Sequence, residues 1–184
     1  VYLTMLCISY VSLHRQDRYG SVSLTDMDYS DLIFLDTETT GAGDEDRLCQ
    51  LAWKHHNSVS DKTFSALYQP PVRISIEAMS VHHITPAMVA GRPLFMESDE
   101  YHGVKELLEK PDTVLVAHNA PFDLGMMHKE AIEPANAIDT LKLVRHFDPN
   151  MMMSRHNLQY LRYFLKLDEL IETEIRPHDA LSDV

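Results

Sequence analysis

Cysteine is scarce in this chain of 184 residues. Cys7 and Cys49 are the only two, which excludes a disulfide framework and the spacing of a structural zinc site, and makes a reduced, cytoplasmic setting the default expectation. Basic residues are few as well: 16 Lys plus Arg stand against 28 Asp plus Glu, a net charge of −12. A protein that coats duplex nucleic acid draws most of its affinity from a basic footprint, so that class is excluded. An enzyme that grips one chain end through bound cations is not. No apolar run approaches the ~20 residues of a membrane span, so no membrane association is expected. Residues 1–13 are apolar, but they lack the basic segment and small-residue cleavage site of a signal peptide.

The composition that remains is that of a globular domain: 45% of residues are hydrophobic and 24% charged, with no repeat or low-complexity tract. The length favours one domain with a sizeable core. Residues 1–26 read as an N-terminal extension outside the folded domain, which is assigned to 27–184.

After Asp31 the pattern becomes regular. Leu32, Ile33, Phe34 and Leu35 form the unbroken apolar run of a buried strand, ending at Asp36. Segments 48–55 and 62–68 read as two more strands, joined by connections short enough for an antiparallel meander. Helices are expected at 75–81, from Thr85-Pro86 to near Gly91 with Thr85 as capping hydroxyl, and at 99–109. A second buried strand, 113–117, leads into a helix to about Ala131, with Asn119 available as its cap. A brief strand follows at 137–138, with Asp139 as cap of a helix at 140–146, and a last helix at 157–165. A meander followed by β-α-β units predicts an α/β fold, a mixed sheet flanked by helices.

Three short blocks carry chemistry. Asp36 and Glu38 stand two apart at a strand end, so both carboxylates emerge on one side. Asp123 falls in the first turn of a helix, where the dipole favours an anion, and beside the sheet edge where open α/β proteins build their sites. His178 and Asp183 form the third block. Four acids suffice for two divalent cations that also take water and a substrate phosphate. A histidine can take a proton from the attacking water at neutral pH.

These blocks resemble the three motifs of the DEDD 3′→5′ exonuclease superfamily in its histidine-containing branch, which includes polymerase proofreading exonucleases, ribonuclease T and oligoribonuclease. Residues 35–41 (LDTETTG) match the first motif, 117–123 (AHNAPFD) the second, and 178–183 (HDALSD) the third. Gln50-Leu51-Ala52 and residues 80–85 match softer family features. The resemblance implies a ribonuclease H-like five-stranded sheet, with a three-strand antiparallel meander plus parallel strands. It implies that Asp36, Glu38, Asp123 and Asp183 hold two Mg²⁺ or Mn²⁺ ions, and that His178 is the general base. Thr37, Thr39, Thr40, His82, His118, Asn119 and Phe122 are the implied substrate contacts.

The implied substrate is the 3′ end of single-stranded DNA or RNA, and the implied protein partner a DNA polymerase or a second copy. An exonuclease-like module that only binds a nucleic-acid end or a polymerase is the alternative, although none of the four acids is missing. Two departures stand out. The family continues past its third motif with a long helix, whereas this sequence stops at Val184; the expectation is a truncated domain, frayed after Pro177, with Asp183 poorly held. His83 stands where the family often has glycine.

Overall fold

The computed structural model describes residues 31–56 and 61–166. The expected extension at 1–26 and the third motif, with His178 and Asp183, lie outside the described residues. Among the described residues, five strands and six helices follow one another in the order expected: β1 (Asp31–Thr39), β2 (Leu48–His56), β3 (Asp61–Leu67), α1 (Ile76–His82), α2 (Pro86–Val89), α3 (Tyr101–Glu109), β4 (Thr113–Ala117), α4 (Ala120–Lys129), β5 (Ala137–Asp139), α5 (Thr140–Phe147) and α6 (Leu158–Phe164). A single 3-10 turn, Phe95–Glu97, separates α2 from α3.

The strands form one sheet in the order β3-β2-β1-β4-β5. The meander is antiparallel, and β4 and β5 run parallel to β1. This is the mixed ribonuclease H-like sheet that the motifs imply. β1 lies at its centre, and both its faces are covered, which is why its sequence runs apolar without alternation. Ile33 and Leu35 join Leu51, Leu115, Leu108 of α3 and Met127 of α4 in the larger core. Phe34 faces the other way, onto Ala52, Val114 and Val116. A third cluster of Cys49, Ile74, Ile84 and Val89 seals the corner under α1 and α2.

Three details differ from expectation. β1 continues to Thr39 instead of ending at Asp36, because β2 goes on pairing with it (Asp36 opposite Ala52, Glu38 opposite Gln50) after the ladder to β4 stops at Phe34–Val116. Pro86 does start α2, but the Thr85 hydroxyl makes no capping bond among the described residues, and the helix has only four residues. Asn119 likewise makes no side-chain cap among the described residues; its backbone is left-handed at φ +70°, a conformation that asparagine tolerates better than most residues. Asp139 caps α5 as expected, accepting from the Leu141 and Lys142 amides. No helix among the described residues is long and apolar enough to cross a membrane.

Candidate active site

Three of the candidate residues, Asp36, Glu38 and Asp123, gather where β1 outruns β4. Asp36 and Glu38 are half-buried on this stretch, and strand alternation gives them the same side. Thr37 between them is 5% exposed, and its hydroxyl donates to Asp123 Oδ1 at 2.8 Å. A bulge follows Glu38: Glu38 pairs with Gln50 but Thr39 with Leu48, so Cys49 is the extra residue. Burial, then the nearby Glu38 charge, pushes the Cys49 thiol up to about 12, which makes it an inert packing group.

Asp123 sits in the first turn of α4 and is 2% exposed. Burial raises its carboxyl to about 7, against hydrogen bonds from the Thr37 hydroxyl and from backbone groups of Asp123 and Thr37, with the Asp139 charge adding to the rise. A carboxylate this enclosed is costly to ionise without a cation nearby. Phe122, half-buried, is its neighbour in the same turn.

The turn into α4 is locked by its surroundings. The Asn119 amide donates to Asp139 Oδ1 at 3.1 Å, the same oxygen that caps α5. His118 is engaged at both ring nitrogens, Nε2 with the His156 carbonyl at 2.7 Å and Nδ1 with the Thr140 hydroxyl at 3.0 Å. A carbonyl can only accept, so Nε2 carries the proton, while the Thr140 hydroxyl is shared between Nδ1 and the Ala117 carbonyl, 3.3 Å away. Burial lowers the pKa of His118, opposed by the His156 carbonyl and the Asp139 charge, while Arg145 and the His156 ring add to the fall.

The turn after β1 is braced from three sides. The Thr40 hydroxyl donates to Asp46 Oδ1 at 2.6 Å, and the Gly43 amide to Asp46 Oδ2 at 2.7 Å. Gly41 passes so close that a Cβ there would lie 2.5 Å from Asp46 Oδ2. Lys129, at the far end of α4, donates to the carbonyls of Gly43 and Asp46 at 2.7 and 3.2 Å. From α1, the Ser75 amide donates to the Thr40 carbonyl at 3.0 Å, and His82 Nε2 to the Thr39 carbonyl at 3.0 Å.

His82 is 7% exposed, and its Nδ1 accepts the Ile84 amide at 2.9 Å, so both nitrogens serve the fold. The Thr39 hydroxyl is turned back to the Gly41 carbonyl at 2.7 Å. Of the expected substrate contacts, Thr37, Thr39, Thr40, His82 and His118 thus spend their side-chain polar groups inside the protein. Asn119 is exposed and Phe122 half-buried. Asp46 and Lys129 carry structural duties that no sequence pattern announced, beyond an Asp-Arg pair just ahead of a strand.

A family model described as exonuclease, of the ribonuclease T type, matches residues 33–184. The chain belongs to the ribonuclease T exonuclease family. Among solved relatives, the exonuclease resembles exonuclease X in complex with 5′ overhanging duplex DNA, at 30% identity and a TM-score of 0.64 over 83% of each chain. Its fold is also that of Escherichia coli exonuclease I bound to a dA16 oligonucleotide, at 19% identity and a TM-score of 0.64, covering 84% of this chain and 38% of that one.

The DNA polymerase III subunit epsilon of Rickettsia conorii is 31% identical over 166 residues, 82% of this chain and 67% of the relative. An epsilon-like protein of Rhodobacter capsulatus is 34% identical over 119 residues, 61% of this chain but 16% of the relative. The exonuclease therefore spans only a small part of that second protein.

The set of donors expected from the motifs, of which Asp36, Glu38 and Asp123 are described, is of a type that suits a hard divalent cation. It consists of carboxylate oxygens with no thiolate among them, and burial raises the carboxyl of Asp123 to about 7. Among the described residues, no group of three or more His, Cys, Asp or Glu side chains stands close enough together to hold a metal on its own.

Proposed function

We propose that this exonuclease is metal-dependent and works 3′→5′, releasing nucleoside 5′-monophosphates from single-stranded nucleic acid. The observation that carries the reading is Asp123, a nearly enclosed carboxyl bonded to the strand residue between Asp36 and Glu38, in a chain of this family. Asp36, Glu38 and Asp123 would bind two Mg²⁺ or Mn²⁺ ions together with Asp183. When bound, such a pair supplies a nucleophilic water and a neutralised leaving oxygen. His178 would accept the water's proton. The braced turn at 40–47 and the exposed Asn119 would fix the terminal nucleotide, with Phe122 against its base. The folded domain is proposed to run over 27–184.

A second reading, an end-binding or polymerase-docking module without catalysis, draws on the similarity to a DNA polymerase III subunit. One assay separates the two. Single-stranded DNA and RNA labelled at the 5′ end are incubated with Mg²⁺, Mn²⁺ or EDTA. The expected result is a ladder shortening from the 3′ end that disappears with EDTA and with Asp36→Ala. Binding without cleavage would favour the second reading, and metal-independent or purely internal cleavage would overturn the first.

A further inference from the structure

Charge is unevenly spread along this acidic chain. Residues 140–166 hold five of its 16 Lys and Arg (Lys142, Arg145, Arg155, Arg162 and Lys166) but only one of its 28 Asp and Glu, Asp148. That single acid is turned inward. Asp148 is 5% exposed, and its carboxylate accepts the Met152 amide at 2.7 Å, the Met153 amide at 3.1 Å and His156 Nε2 at 2.9 Å. It therefore closes the loop between α5 and α6 and leaves the outer surface basic.

On α5 the buried residues are Thr140 and Val144, while Lys142, Arg145 and His146 are exposed. Spacings of three and four residues put these three side chains on one face of the helix. Arg155 is exposed on the loop that follows. Among the described residues, Lys142, Arg145 and Arg155 take part in no ion pair.

This surface is fastened to the second motif. His118 bonds both the Thr140 hydroxyl at the start of α5 and the His156 carbonyl at the end of the loop. Arg145 stands near enough for its charge to oppose protonation of His118. The basic face thus begins at the active-site edge of the sheet and is rigidly placed there. At the loop tip, Met151 and Met152 are 80% and 77% exposed, offering an apolar surface beside the cations.

We propose that the exposed face of α5 and the loop after it form the track for the substrate strand, with Lys142, Arg145 and Arg155 binding successive phosphates and Met151 and Met152 meeting its bases. The proposal rests on the exonuclease reading and says where the strand lies. The partner is a flexible phosphodiester chain, and charge complementarity selects it: on an acidic protein, a polyanion is held only where cations are gathered and unpaired.

The test is fluorescence anisotropy of a 5′-fluorescein dT 20-mer with the 184-residue chain in EDTA, titrated across a salt series. The triple variant Lys142→Ala/Arg145→Ala/Arg155→Ala is compared with Lys62→Ala/Arg73→Ala/Lys110→Ala, which removes the same charge from exposed positions elsewhere. The first triple is expected to bind about tenfold or more weakly at low salt, and its log–log salt slope to shrink by about 2, at roughly 0.7 per phosphate for a single strand. The second should lose far less. Equal losses in the two triples, or no binding by the parent, would overturn the track. The assay contains no divalent cation, so a failed cleavage assay and a failed binding contrast are separate results.

Discussion

The hydroxyl of Thr37 donates to Oδ1 of Asp123 across 2.8 Å, joining the C-terminal end of β1 to the first turn of α4 over a sequence separation of 86. That bond stabilises the charged form of a carboxyl that burial would otherwise keep protonated. Thr37→Val preserves shape and removes the donor. It is expected to cost about 2 kcal/mol in urea unfolding, as for a buried acceptor left unpaired. It should also raise the pKa of Asp123, moving the acid limb of the pH–rate profile to higher pH. Thr37→Ser should restore both. An unchanged profile in Thr37→Val would show that the bond does not tune the carboxyl.

Asp123 also predicts a pH-dependent stability. Its folded pKa lies near 7, above the ~3.9 of an unfolded aspartate. Between those values the folded chain keeps a proton that the unfolded chain has released, so this group's contribution to stability falls as pH rises through that window. Asp123→Asn lacks the titration and keeps an acceptor for Thr37. In EDTA, the variant should gain on the parent from about pH 4 to pH 7, by on the order of 4 kcal/mol. Mg²⁺ should stabilise the parent more than the variant at pH 8. Parallel stability curves for the two proteins would refute the assignment. The same variant should lose activity by at least about a hundredfold, as expected when a metal-held transition state loses a ligand.

The sheet, and the strand and helix positions that bring Asp36, Glu38 and Asp123 to one end of it, were legible in the sequence because their signals are local. Leu32 to Leu35 announce a strand with two covered faces, and Asp139 announces a cap. The bracing was not legible, because it is made between residues far apart in the chain. Lys129 reaches Gly43 across 86 positions, and His82 reaches Thr39 across 43. Local chemistry also misled where tertiary packing took over. Thr85 and Asn119 look like helix caps, yet Pro86 starts its helix without the Thr85 hydroxyl. The Asn119 turn is held instead through its own amide, bonded to Asp139. The end of β1 is hidden from local sequence for the same reason: a carboxylate looks like a strand exit, but β2 continues to pair past it.

Gly41 and Asp46 should be energetically coupled. A methyl group at Gly41 would meet Asp46 Oδ2 at 2.5 Å, and that oxygen is fixed by the Gly43 amide. Gly41→Ala is expected to cost about 2–3 kcal/mol, the range for an overpacked contact that cannot yield. Asp46→Ala should cost about 1–2 kcal/mol through its lost hydrogen bonds. In the double variant the clash has no partner, so its cost should fall short of the sum by at least about 1 kcal/mol. Denaturant unfolding of the four proteins gives the cycle, and strict additivity would count against the contact.

His83 occupies a position that favours glycine. It ends α1 with φ +63° and is exposed. Left-handed backbone costs an L-residue about 1–2 kcal/mol, while glycine gives back part of that in unfolded-state entropy. His83→Gly should therefore stabilise the fold by about 0.5–1 kcal/mol, read as a rise in Tm. A fall in Tm would show that the imidazole makes a contribution larger than its backbone cost.

His82, its neighbour, should behave in the opposite way. Burial, reinforced by the His83 charge, lowers its pKa despite the Thr39 carbonyl. Its neutral form donates from Nε2 to that carbonyl and accepts at Nδ1 from Ile84, so protonation would break the Ile84 bond. With the folded pKa below the ~6.5 of an unfolded histidine, the stabilisation is complete above that value and is lost as pH falls through the folded pKa. His82→Ala should cost about 2–3 kcal/mol at pH 8, from two lost bonds and a small cavity. The gap to the parent should narrow steadily below about pH 6. A gap independent of pH would mean that the ring contributes packing alone. If instead stability were untouched and only KM for the oligonucleotide rose, His82 would be a substrate contact and the brace on Thr39 would carry no weight.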